Sequence, residues 1–334
     1  MKVSLPTSPK IKLKYFMKTK FTLCILALTF LLFNSCEKNK VDIKSFTKIH
    51  DYNVLIVPDL SNRINKDIHP KPVNDTLLIN NIICNIEPLL QTNNRQMNQL
   101  DVYKLDFINR GILNKNVVDP KDLEINFKKF ENNLSASSEY KRKGLKSDVL
   151  KFKSGVSKIY NYSLQNSSGS DVWNYFNETI KSSIINNPDK IDSTAQTIKN
   201  TKNIVVLFTD GYIESTNNDL GYTLNQQLIK KIRTEFLNSK STDLEKFISS
   251  KPEYLIKKTS NNLHDINILI LEMVDRSLDK NGSTTIQPTD FEIMKIIWTK
   301  WLKDSGASHV EIYPAFSKET DSFEALEKFM KEIK

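Results

Sequence analysis

The sequence predicts an α/β domain with a mostly parallel central sheet flanked by helices on both faces, wound in both directions from its centre. Three observations carry that expectation. The runs "VLIV" (54–57), "NIVVLF" (203–208) and "INILILEM" (266–273) are almost wholly apolar, as strands buried on both faces are. Between them lie stretches whose apolar residues recur at helical spacing. Asp59 and Asp210 each follow one of these strands closely. In such sheets ligands bind outside the carboxyl ends of the strands.

The chain opens with a targeting signal. Lys10, Lys12, Lys14, Lys18 and Lys20 precede the apolar run "FTLCILALTFLLF" (21–33), and Asn34, Ser35 and Cys36 follow. A basic segment, a short apolar segment and a small residue before a break read as secretory. A run of thirteen residues is too short for a comfortable membrane span. The cysteine after the run resembles a bacterial lipoprotein signal, which implies cleavage before Cys36 and lipidation of it. Met17 begins a complete signal of its own, so Met1 and Met17 are both candidate starts. The expected organisation is a signal over 1–36, a polar tether over 37–50, and one domain over 51–334 with a helical insertion around 120–165. The expected location is the cell envelope, held by lipid, on the periplasmic face of an outer membrane where one exists. "EKNK" after the cysteine has no run of acids, so surface export is not indicated.

Charge and cysteine usage narrow the functions. The net charge of +9 is misleading, because six lysines and no acids lie in the first 36 residues. The remainder holds 42 basic and 39 acidic residues, which gives no case for nucleic-acid binding. Cys24 lies in the apolar run and Cys36 is the proposed lipid site. Cys84 is left alone, so the mature domain has no internal disulfide. Its place in an apolar helix pattern predicts burial. His50, His69, His264 and His309 show no paired spacing, and no zinc site is expected.

Taken in order, the first strand is 54–57. "NDTLLINNIICNIEPLLQTN" follows as helix, capped by Asn74 or Asp75. "LDVYKLDFI" (100–108) alternates and reads as a strand. Helices are expected around 121–133 and 145–163, with an exposed loop between. "NSSGSD" (166–171) is a turn that leads into a helix. The strand 203–208 ends in Thr209, Asp210 and Gly211. Helices over about 219–237 and 242–258 lead to the strand 266–273. "FEIMKIIWTKWLKDSG" is an amphipathic helix stopped at Gly306, with Phe291, Met294, Trp298 and Trp301 as core. "HVEIYP" is a last strand and "SFEALEKFMKEI" a last helix.

Three loops carry the candidate chemistry: "DLSNR" after the first strand, "GSD" at a helix start, and "TDG" after the strongest strand. If their strands are neighbours, Asp59, Ser61, Ser170 and Asp210 form an oxygen-rich spot suited to Mg²⁺ or Mn²⁺. An open coordination position would then accept a partner's carboxylate. Taken singly, each element has a plainer reading. Asp at a strand end is a common turn or cap, "TDG" is a common turn, and Ser170 or Asp171 suits an N-cap. Together and in order, the loops resemble the von Willebrand factor A family. That family has an Asp-x-Ser-x-Ser loop after its first strand, then a Thr or Ser in a second loop, then an Asp, often within Thr-Asp-Gly. The resemblance spans roughly 50–334 but rests on the three loops. It implies a metal-ion-dependent adhesion site that binds a protein partner without catalysis.

Arg63 departs from that pattern, standing where the second serine would be. It can swing outward and leave a weaker metal site, pair with Asp59 or Asp210 in place of the metal, or point at a partner's carboxylate. Thr209 and Asp171 are further candidates to modulate the site. Two other functions are open. One is a metal-free structural lipoprotein, which Arg63 favours. The other is a phosphatase-type hydrolase with Asp59 as nucleophile. The haloacid dehalogenase pattern would have a second Asp where Ser61 stands, and the chain has no Gly-x-Ser-x-Gly elbow.

Overall fold

A computed structural model of the chain describes residues 46–166, 169–213, 223–279 and 281–333. The signal segment, Cys36 and most of the tether lie outside them. Among the described residues no helix is long and apolar enough to cross a membrane.

The apolar runs become one seven-stranded sheet. In chain order its strands are β1 (Thr47–Pro58), β2 (Val102–Leu105), β3 (Glu124–Asn126), β4 (Lys190–Asp192), β5 (Thr197–Phe208), β6 (Ile266–Met273) and β7 (His309–Pro314). Their spatial order is β3-β2-β1-β5-β6-β7, and β4 pairs off this path with β5. β3 and β4 pair antiparallel and every other pairing is parallel. The chain builds outward from β1 to β3, returns to the centre, and builds outward again from β5 to β7. The winding therefore reverses between β1 and β5, where Val54–Val57 lies beside Ile204–Leu207. This is the topological switch point at which a doubly wound sheet opens a crevice.

Side-chain alternation assigns the two faces. Val54 and Ile56 of β1, with Ile204 and Val206 of β5, face one core. Leu55 and Val57, with Val205 and Leu207, face the other. The first core is closed by α1 (Asp75–Cys84), α2 (Ile86–Gln91), α4 (Leu145–Gln165) and α9 (Asp321–Glu332). The short α3 (Leu134–Glu139) precedes α4. The second core is closed by α5 (Val172–Asn177), α6 (Gln226–Ser239), α7 (Leu244–Ser249) and α8 (Asp290–Asp304). Trp298 and Trp301 are buried in it, as their spacing predicts.

Several expectations change. β1 begins at Thr47, four residues inside the stretch expected to be tether. The region 121–133 is not helical: short 3-10 turns flank β3, whose Ile125 is buried against β2. Local polarity hid a three-residue edge strand. Helix begins instead at α3, in the segment expected to be an exposed loop, and runs through a π-helical turn at Tyr140–Gly144 into α4. The stretch 242–258 is also shorter helix than expected, with α7 followed by a 3-10 turn at Pro252–Tyr254. Cys84 is exposed rather than buried. Leu78, Ile79, Ile82 and Ile83 take the core side of α1, and the next residue turns away from it. α8 begins with a capping box between Thr289 and Glu292 and stops before Gly306, whose φ of +98° suits glycine.

One core contact supports the crevice directly. Trp298 Nε1 donates to the Gly211 carbonyl at 2.8 Å, tying α8 to the turn that carries Asp210. Replacing Trp298 with Ala is expected to cost about 3–5 kcal/mol in urea unfolding. Replacing it with Phe keeps most of the buried ring area but loses the bond, so a smaller loss is expected, with faster amide exchange at Gly211 and Tyr212.

Candidate functional site

Asp59 and Asp210 meet at the switch point. The Asp59 amide donates to the Phe208 carbonyl at 2.9 Å, continuing the β1–β5 ladder past the strand ends. Thr209 Oγ1 donates to Asp59 Oδ2 at 3.1 Å, and the Ser61 amide donates to Asp59 Oδ1 at 3.1 Å. The Tyr212 amide donates to Asp210 Oδ1 at 3.2 Å. Burial raises the pKa of Asp210, and the nearby Asp59 charge raises it further. The two carboxylates are close enough to repel.

Arg63 turns inward and is 3 % exposed. Its Nε donates to the Asp59 carbonyl at 3.0 Å and stands 3.6 Å from Asp59 Oδ2. Its Nη2 donates to Asp75 Oδ2 at 2.6 Å and to the Phe208 carbonyl at 2.6 Å. The guanidinium therefore bridges the ends of β1 and β5 and the start of α1. Burial works against its charge, but Asp75 and Asp59 outweigh that and raise its pKa. Asp75 is the hub on the other side. It also accepts from Lys71 Nζ at 2.8 Å and from the Tyr160 hydroxyl at 3.1 Å. Although burial pushes its pKa up, Arg63 and Lys71 bring it down to about 2. Asp75 opens α1 without capping it, because its carboxylate is engaged by these side chains. Asn74 occupies the cap position, and its side chain makes no capping bond.

A second arginine serves the other carboxylate. Arg276 Nη2 donates to Asp210 Oδ2 at 3.0 Å, and its guanidinium stacks 4.0 Å from the centre of the Tyr212 ring. The Tyr212 hydroxyl donates to Asp290 Oδ2 at 2.7 Å. Behind the site lies Glu272, fully buried on β6 at a φ of +73°, which is uncommon for a residue with a side chain. Its Oε1 accepts from the Phe316 amide at 2.9 Å. Burial and the charge of Asp75 push its pKa up to about 7.

Four residues were expected to meet here. The structure joins Asp59 to Ser61 through the Ser61 backbone and sets Asp210 beside Asp59. Ser170 is half-buried just before α5 and shares no hydrogen bond with Asp59 or Asp210 among the described residues. Asp171 caps α5, accepting from the Asn174 amide at 2.9 Å. Thr209 joins the site through its hydroxyl on Asp59. As arranged, these donors do not suit a divalent cation. An ion between Asp59 and Asp210 would stand against the Arg63 guanidinium, and Arg276 already holds Asp210. His309, Glu311 and Glu332 bring ligand atoms within 4.8 Å of one another on β7 and α9. Lys328 lies 4.0 Å from Glu311 and 3.6 Å from Glu332, supplying a competing cation there.

Sequence reasoning missed Asp75, Lys71, Tyr160, Arg276 and Glu272. The four-residue spacing of Lys71 and Asp75 was a faint signal. Nothing local marked Asp75 as the partner of Arg63, because the pairing depends on α1 docking beside β1. No family model matches this chain, and no curated protein matches it.

Two outcomes follow from these charges. Arg63→Ala leaves Asp59 and Asp75 buried without their shared cation and is expected to cost about 3–5 kcal/mol in urea unfolding. Glu272 has a native pKa above its ordinary 4.5. The native state therefore holds a proton that the unfolded chain releases between about pH 4.5 and 7. Stability should fall as pH rises across that window, by on the order of 3 kcal/mol. Urea midpoints at pH 5 and pH 8 check this, and Glu272→Gln should flatten the difference.

Proposed function

We propose that this chain is a lipid-anchored envelope protein whose α/β domain binds a protein partner at the carboxyl edge of its sheet without catalysis. In this reading the site is a von Willebrand A-like crevice in which a fixed arginine does the work of a metal ion. The observation that carries it is the placement of Arg63, buried at the switch point between Asp59, Asp75 and the Phe208 carbonyl. A divalent ion would bind two carboxylates and tie two strand ends together. The guanidinium supplies positive charge and directional bonds to the same ends and needs no loading. The anchor rests on the sequence signal ending at Cys36. A hydrolytic role for Asp59 is the weaker reading, because its carboxylate oxygens face Thr209, the Ser61 amide and Arg63.

Calorimetry with Mg²⁺ and Mn²⁺ tests the metal-free reading. No heat is expected from the natural chain, and weak binding from Arg63→Ser, which frees the acids. Saturable heat from the natural chain that Asp210→Ala abolishes would restore the metal-dependent reading. Photo-crosslinking in the native envelope tests the surface. A crosslinker at Ile68, exposed beside the site, should capture a partner, and one at Leu237 on α6 should not. Cys36→Ser should move the protein from the membrane fraction to the soluble one.

A further inference from the structure

We propose that the cleft beside Arg63 is a binding site for an oxyanion, the carboxylate or phosphate group of a ligand, held by arginine and lysine. The inference rests on the reading of the carboxyl edge as a binding surface and names the chemistry it takes. The cleft has a volume of about 380 Å³, and its walls include Arg63, His69, Lys71, Asp210, Gln226 and Arg276. That is the small end of the range for ligand pockets and suits one charged group with a short stem.

The first argument is an unpartnered donor. Arg63 uses Nε and Nη2 on the ends of β1, β5 and α1. Its Nη1 is buried and has no acceptor among the described residues. A buried donor on a permanent cation is costly to leave unpaired, and an oxyanion is the acceptor that answers it best. The second argument is the sign of the surrounding charge. Lys71 has one acceptor in Asp75 and, as an ammonium, further donors to offer. Arg276 is held in place by Asp210 and by stacking on Tyr212. The acids behind the wall are engaged: Asp75 by Arg63, Lys71 and Tyr160, and Asp59 by Thr209, the Ser61 amide and Arg63. Among the described residues Asp210 is the one acid on the wall, and Arg276 pairs with it. The wall therefore sets two arginines and a lysine against one acid, with Arg276 the most exposed of the four. Guanidinium forks match carboxylate and phosphate oxygens in geometry, and two arginines with a lysine supply the donors.

The test follows the arginine side-chain nitrogen resonances of the whole mature chain at constant ionic strength. Inorganic phosphate is titrated in one arm and succinate in the other. Saturable shifts at both Arg63 and Arg276 are expected, and the arm that saturates at the lower concentration identifies the oxyanion. Arg276→Gln should weaken that affinity at least tenfold, while Lys158→Gln on α4 should leave it unchanged. If Arg276→Gln fails to fold, Lys71→Gln takes its place with the same expected weakening. No saturable shift at Arg63 in either arm overturns the proposal, as does an affinity that neither cleft variant changes. Oxyanion binding without crosslinking at Ile68 supports the site and counts against the protein partner alone. Crosslinking without oxyanion binding overturns the site and leaves the partner reading standing.

Discussion

The arrangement at the sheet's carboxyl edge depends on one buried cation. Asp59, Asp75 and Asp210 converge where the winding of the sheet reverses, and three carboxylates cannot share a dry crevice unaided. Arg63 stands among them and bonds two strand ends and the first turn of α1 at once. Lys71 and Arg276 then complete the balance from either side. Through those bonds the guanidinium ties the first turn of α1 to the ends of β1 and β5.

A metal and an arginine solve the same electrostatic problem with different consequences. A hydrated dication exchanges ligands, and its occupancy depends on its concentration. A guanidinium is covalently part of the chain, is always charged, and offers a fixed fork of donors. A crevice built on it is permanently assembled. What it gives up is the open coordination position through which a metal can accept a ligand atom directly. What the crevice offers in its place is the donors of Arg276 and Lys71 on its wall.

Much of this was legible in the sequence, for a physical reason. Strands buried on both faces must be apolar throughout, so β1, β5 and β6 announced themselves, and Asp59 and Asp210 followed from their ends. Trp298 and Trp301 were legible because α8 must bury one stripe. β3 was not, because a three-residue edge strand carries too little pattern. Cys84 was misplaced because an apolar run of a helix does not say which of its last residues faces water. Arg63 stood out as an odd residue, but its partner Asp75 did not. That pair is made by the docking of a helix against a sheet, and no local period records it. Ser170 was chosen by order along the chain, and among the described residues no hydrogen bond joins it to Asp59 or Asp210.

The long pairing of β1 with β5 has a mechanical consequence. The two strands run parallel in register from Thr47 beside Thr197 to Pro58 beside Phe208. Thr47 stands at one end of this pairing, and the crevice sits at the other. A force applied along β1 loads the ladder in shear. Its hydrogen bonds then share the force and must fail together, instead of opening one after another as in a peeled hairpin. The same two strands that set the carboxylates side by side thus form the longest parallel pairing of the sheet, and it resists a load along its axis as one unit.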